Sequence, residues 1–420
     1  MEGWDERSTR VNSGGSVDLQ VRLGTLTLRN PFLVGSGPTV KNADQVRMAA
    51  DNGWAGASIK LAIDPQPYLS FPPRYRWLKK EKIHIFTAEK RLTADEALAV
   101  VGEARAAVDD FAIIPTITYD GQDYEGWGRL ARRFEEAGAH AVELNMCCPN
   151  MSFNLSSTGT STEKSTGASL GNDLANLPRA VRSVVDAVSV PVIVKFSPEG
   201  NQLAAAGRVA LDAGAAAVGH AGNRLGIPDI DITRPLDPVY RLQDQVTLGC
   251  ISGPWLRPLA LRDTYQMRHY LGPDAFIIGS GGISDLQSSV QQIMVGSDAV
   301  WICTETMIRG FDWLPRLLDK LVDYMRSMQF CTIGDMRDLL HQNIASAQEL
   351  TIHDGYAAVD PDTCTNCGLC WKIGHCDAIR HDEGTTVIDP ELCLACSTCV
   401  DVCPRSAIRM VERSAAGVKE

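Results

Sequence analysis

One alternation constrains this chain more than any other feature. Across residues 30–329, short apolar runs alternate with longer amphipathic stretches. The runs fall at 32–37, 57–61, 112–118, 141–146, 190–196, 216–221, 275–279 and 299–303. Continuous apolar runs of this length suit strands buried on both faces, as parallel strands are. Helical periodicity fills the intervals, as at 124–137, 174–188, 202–213 and 285–295. A weak repeat punctuates the pattern: Gly53-Trp-Ala-Gly-Ala, Gly138-Ala-His-Ala-Val, Gly214-Ala-Ala-Ala-Val and Gly296-Ser-Asp-Ala-Val. Glycine at such points supplies the left-handed turn that stops a helix before the next strand. Eight strands with intervening helices predict a (β/α)8 TIM barrel, with a doubly wound open sheet as the alternative.

A barrel gathers function at the C-terminal ends of its strands. The residues to read are then Ser36, Gly37, Lys60, 145–150, Lys195, 220–223 and 279–282. Two stretches there exceed simple connections. One, 149–173, is rich in Ser, Thr, Asn and Gly; the other, 223–258, is rich in Asp and Pro. Long rim loops of this kind read as lids. Residues 310–329 read as the last helix of the barrel and 334–350 as a connecting helix. The organisation expected is an N-terminal extension (1–29), the barrel (30–330), a helical linker (331–355), a small domain (356–412) and a tail (413–420).

The small domain is set by cysteine. Of 13 cysteines, eight crowd between Cys364 and Cys403, and the first 146 residues have none. A secreted disulfide framework would spread them; crowding points to metal in a reducing compartment. Cys364, Cys367 and Cys370 form one CxxCxxC run, followed by Cys376. Cys393, Cys396 and Cys399 form another, followed by Cys403-Pro404. In two-cluster ferredoxins the fourth cysteine after each run ligates the other cluster. That assigns one [4Fe–4S] cluster to Cys364, Cys367, Cys370 and Cys403, and the second to Cys393, Cys396, Cys399 and Cys376. Two zinc sites would also use eight cysteines, but the tripled spacing favours iron–sulfur.

Clusters move single electrons. The barrel should therefore hold a group that trades one electron with them and two with an organic substrate, and a flavin does both. No GxGxxG follows an expected strand and opens a helix, so a nicotinamide site belongs to a partner. Electrons must enter or leave through a partner protein docking near the clusters. The net charge of −11 disfavours nucleic acid and anionic membrane surfaces. No apolar run reaches membrane-spanning length, and the first residues are polar, so the expectation is a soluble, cytoplasmic protein.

Barrel phosphate sites use the loops after strands seven and eight. Gly281 and Gly282 fit the first; Cys303 and Thr304 fit the second; Gly253, after Ser252, joins them. Lys60 and Lys195 each end an apolar run, where a lysine needs a partner. They read as cations beside the flavin, or else as rim ion pairs. Asn145 and Asn150 bracket Met146-Cys-Cys-Pro149. Their amides suit a polar heterocycle, or a loop to be pinned.

These residues carry a resemblance. Glu143-Leu-Asn-Met-Cys-Cys-Pro-Asn150 resembles the ELNxSCPN strand end of class 1 dihydroorotate dehydrogenases and dihydropyrimidine dehydrogenases. Asn30-Pro-Phe32 with Ser36-Gly37, Val194-Lys-Phe-Ser-Pro198, Ile251-Ser-Gly-Pro-Trp-Leu-Arg-Pro-Leu-Ala-Leu261 and Gly279-Ser-Gly-Gly-Ile283 resemble further segments of that family. A barrel of this kind joined to a two-cluster domain is similar to bacterial dihydropyrimidine dehydrogenase FMN subunits. The resemblance implies FMN, hydrogen added or removed across a ring C=C beside a carbonyl, a separate FAD/NAD(P) subunit and a homodimeric core. It implies FMN contacts from Ser36, Gly37, Lys60, Asn145, Lys195, Gly253, Gly281, Gly282, Cys303 and Thr304. Ser169, in Thr166-Gly-Ala-Ser-Leu-Gly171, matches the loop residue that handles the proton, with Lys195 and Asn145 as the other catalytic residues. Asn145, Asn150 and Asn223 are the substrate contacts. Where the family carries Asn-Thr after strand six, this chain has His220-Ala-Gly-Asn223. Pyrimidine is therefore the leading substrate, the alternatives being an aromatic or alicyclic ring, or an electron-transfer subunit of a larger flavoprotein complex.

Overall fold

The computed structural model describes residues 16–64, 72–87, 90–148, 166–200, 202–227, 229–237, 239–246, 248–382 and 384–413. The chain divides into two compact units, Met1–Asn343 and Ile344–Glu420.

In the first unit eight strands and eight helices alternate. The strands are β1 (Phe32–Val34), β2 (Gly56–Ile63), β3 (Ala112–Thr118), β4 (Val142–Met146), β5 (Val192–Phe196), β6 (Ala217–His220), β7 (Ile277–Ser280) and β8 (Ala299–Ile302). The helices are α1 (Ala43–Asp51), α2 (Ala94–Ala107), α3 (Tyr124–Glu136), α4 (Leu177–Val185), α5 (Leu203–Asp212), α6 (Arg257–Leu271), α7 (Leu286–Met294) and α8 (Leu314–Ser327). All strands pair in parallel with their neighbours, and β8 returns to β1, which also pairs with β2, so the sheet closes. Closure excludes the open doubly wound sheet. Burial explains the apolar runs: every residue of β1, β2, β3, β4, β5 and β6 is buried.

Local chemistry fixes the helix ends. Thr93 and Glu96 form a reciprocal capping box on α2, and Asp285 with Ser288 does the same on α7. Gly53, Gly138, Gly214 and Gly296 all adopt positive φ, as the repeat required.

Two departures matter. The expected helix over 334–350 is instead a short helix, Ile333–Met336, and a 3-10 turn, Leu339–Gln342. Asp338 breaks it in a left-handed conformation (φ 69°) and pairs with the fully buried Arg268 at 3.1 Å. The second departure is a four-stranded antiparallel sheet on the catalytic rim. The β2–α2 connection contributes Tyr75–Leu78 and Ile83–Phe86; the β6–α6 connection contributes Arg224–Gly226 and Gly249–Ser252. Part of the stretch read as a lid, 223–258, is thus a fixed wall. Of the other, 149–173, only 166–173 lies within the described residues.

In the second unit, Gly355–Val359 pairs antiparallel with Ile408–Glu412, and Ile379–Asp382 with Thr385–Ile388. Cys370 and Cys399 are buried in its small core with Ala357 and Ile408. Among the described residues no helix is long and apolar enough to cross a membrane.

Candidate active site

The C-terminal ends of the strands open into one cavity of about 1150 Å³, counted to its open mouth. Ser36, Asn145, Lys195, Asn223, Gly253, Gly281, Gly282, Cys303 and Thr304 all line it. Gly37 lies just behind this wall, where an added Cβ would stand 2.5 Å from the Cys303 Sγ. Lys60 is buried in β2, outside the cavity wall. Ser169 sits on the short helix Ala168–Gly171, exposed and also off the wall. Asn150 lies outside the described residues.

Glycine loops form one side of the cavity. Gly281 and Gly282 hold φ of 105° and 72°, which side chains rarely adopt. They press the loop after β7 against the start of α6: a Cβ on Gly282 would stand 2.7 Å from the Arg257 amide nitrogen. No side chain would fit there, and the loop packs directly on α6 at the edge of the cavity. The Thr304 hydroxyl donates to the Ser252 Oγ at 3.0 Å, and the Ser252 Oγ lies 3.4 Å from the His84 Nδ1. Glu305 shares this wall; burial pushes its carboxyl upward while Arg309, 3.7 Å away, opposes the shift.

The opposite side presents amides. Asn145 turns its carboxamide oxygen to the Cys147 and Cys148 amides, at 3.1 and 3.0 Å. The oxygen thus pins the loop, as one reading of Asn145 expected, and Asn145 also lines the cavity. Arg91 and Cys148 stand in the same wall, with Nη2 3.2 Å from Sγ.

The floor is ionic. Glu143 is fully buried and receives hydrogen bonds from the Ser58 and Thr116 hydroxyls. Lys195 Nζ lies 3.4 Å from its carboxylate and 4.1 Å from the centroid of the Trp301 ring. Trp301 Nε1 donates to Ser58 at 3.0 Å, closing the network. Sequence reasoning missed Glu143 and Trp301. The signal available was alternation, since Glu143 and Asn145 share one face of β4.

His220 corrects an expectation. It does not line the cavity; its Nε2 lies 2.8 Å from the Thr264 Oγ1 of α6. The inward position belongs to its neighbour Gly219, which pairs with Lys195. Complete burial pushes the His220 imidazole down to about 4. From the segment just after strand six, Ala221 and Asn223 reach the cavity.

In the second unit, Cys364, Cys367, Cys370 and Cys403 line one pocket. Burial pushes the Cys370 thiol up, and the neighbouring Cys364, Cys367 and Cys403 thiolates push it further. Cys399 is pushed up to about 11 by burial, then by Cys393, Cys376 and Cys396. Cys364, Cys367, Cys370 and Cys403, one of the two sets the spacing assigned, thus stand together.

The dihydroorotate dehydrogenase family profile matches residues 18–325. The chain belongs to that family. A 4Fe-4S binding domain profile matches residues 386–409. The chain is 26% identical over 335 residues to the chloroplastic NADP(+) dihydropyrimidine dehydrogenase of Arabidopsis thaliana, covering 76% of each protein. It is 26% identical over 368 residues to the NAD-dependent dihydropyrimidine dehydrogenase subunit PreA of Escherichia coli, covering 84% of each. It is 28% identical over 320 residues to the catalytic subunit of dihydroorotate dehydrogenase B from Pyrococcus horikoshii, covering 76% of this chain and 96% of that one. The chain is thus an FMN-dependent, iron–sulfur oxidoreductase of CH–CH bonds.

Proposed function

We propose that the chain is the FMN and iron–sulfur subunit of a dihydropyrimidine dehydrogenase-like enzyme, working on a pyrimidine ring C=C beside a carbonyl. The observation that carries this reading is one cavity walled by the glycine loops at 253 and 281–282 on one side and by Asn145, Lys195 and Asn223 on another. Gly253, Gly281, Gly282 and Thr304 would hold the phosphate of FMN. Ser36, Gly37, Cys303 and Lys60 would flank the rest of it. Bound there, FMN supplies exchange of two electrons with the ring and of one electron at a time with iron–sulfur. The amides of Asn145 and Asn223 match the alternating donors and acceptors of a cyclic imide.

For the proton at the neighbouring carbon we propose Ser169, on its match to the family's loop. Because Ser169 is exposed and Cys148 lines the wall beside Arg91, Cys148 is the second candidate. Loss of turnover in Ser169→Ala but not in Cys148→Ala would assign the role to the serine; the reverse would assign it to the cysteine.

Two clusters are proposed from backbone symmetry. Left-handed residues recur at matching places in both runs, Asn366 and Gly368 in the first, Ala395 and Ser397 in the second. A shared twist of this kind wraps three thiolates around a cubane in each. Electrons would pass to or from an FAD/NAD(P)-binding reductase subunit or a ferredoxin, from a homodimeric core in the cytoplasm.

The test is anaerobic. The purified chain is reduced chemically, and flavin reoxidation is followed by absorbance on adding uracil or thymine. Rapid stoichiometric reoxidation is expected. No reoxidation, with FMN and clusters both present, would overturn the pyrimidine and favour another ring, aromatic or alicyclic.

A further inference from the structure

We infer that Glu143 is a positioning residue that sets the electrostatics of the flavin floor by neutralising and holding Lys195. This inference rests on the reading of the cavity as the FMN site. Glu143 is wholly excluded from solvent, yet it is placed where its carboxylate lines the cavity. Two hydroxyl donors, Ser58 and Thr116, and the Lys195 ammonium at 3.4 Å fix its oxygens. The ammonium is in turn confined between that carboxylate and the face of Trp301, 4.1 Å from the ring centroid. Such a face attracts a cation but cannot neutralise it. Space for the indole comes from Gly219, where a Cβ would stand 2.5 Å from the Trp301 Cζ3.

The consequence is electrostatic. A lysine alone at the cavity floor would favour any group that gains negative charge on reduction. Paired with Glu143, its field is largely cancelled, and its Nζ is held at one point rather than free to follow the ligand. A buried carboxylate is costly, and burying one beside a cation often gives little net stability. Removing the carboxylate outright would leave Lys195 an uncompensated buried charge, so the informative change keeps the side chain's shape and alters only its charge.

The experiment compares wild type, Glu143→Gln and Glu143→Asp as full chains carrying their clusters. FMN per chain is measured first, then the midpoint potential of the bound flavin by anaerobic titration. Glutamine keeps hydrogen-bonding capacity but removes the charge, so the flavin potential is expected to shift to more positive values. Aspartate keeps the charge at a shorter reach and is expected between glutamine and wild type. It also serves if the glutamine variant does not fold. Cluster absorbance and cluster potentials are expected to stay at wild-type values. Wild-type potential in FMN-loaded variants would overturn the inference, as would simple loss of FMN or of stability without a shift. Wild-type protein that retains no FMN would overturn the reading of the cavity itself, and the inference with it.

Discussion

At the residue scale, the pairs that matter join side chains from different strands. Lys195 and Glu143 sit on β5 and β4, and Trp301 comes from β8. His220 shows how strictly alternation sorts neighbours: Gly219 faces the barrel interior, whereas His220 faces α6. Its burial has a pH signature. The folded imidazole is pushed down from 6.5 to about 4. A depressed value means the neutral form is favoured in the fold. Its contribution is therefore full above pH 6.5 and is lost as pH falls through about 4. Linkage puts this at about 3 kcal/mol. Urea unfolding of His220→Gln against wild type, from pH 7 down to about 4, is expected to show a shallower acid loss in the variant. Equal slopes would mean the histidine is not the titrating group.

At the element scale, the barrel interior has no slack. Gly219 lets β6 pass beside the Trp301 indole, and a Cβ there would also stand 2.3 Å from the Ile278 carbonyl oxygen. Gly219→Ala is expected to destabilise the first unit by about 1–3 kcal/mol, the range for overpacking, and to lower the FMN retained per chain. Unchanged melting and FMN content would show that the strand yields. The elements themselves were plain in the sequence. All eight strands fall on the apolar runs, because strands covered on both faces must be apolar throughout, which is a local property. The rim sheet was not legible. Its strands come from two connections far apart in the chain, and neither Arg224–Gly226 nor Gly249–Ser252 is long enough to declare itself. The connecting helix failed for a related reason: Asp338 leaves helical geometry to meet Arg268, a partner no local pattern announces.

At the scale of the whole molecule, the division of labour is chemical. A barrel that can hold FMN is joined to a unit whose small core is partly made of thiols, Cys370 and Cys399 among them. Such a core is incomplete without its metal. Cys403→Ser and Cys376→Ser each remove the fourth thiolate of a different proposed cluster. Each is expected to cost about half of the bound iron, with distinct changes in the reduced-state EPR spectrum. Loss of the same signal in both variants would overturn the crossed assignment.

What the sequence determined by itself was whatever is local or periodic. The barrel strands follow from continuous burial, the glycine turns from backbone geometry, and the cysteine sets from spacing that suits a cubane. That Asn145, Lys195, Asn223 and the glycines at 253, 281 and 282 line one cavity was legible because a barrel delivers strand ends to one rim. Tertiary structure alone decided which charges meet. It paired Lys195 with Glu143, laid it over Trp301, turned His220 outward and left Ser169 off the wall. The physical reason is register: an ion pair depends on how adjacent strands align and which face each residue takes, and neither is written in any single segment.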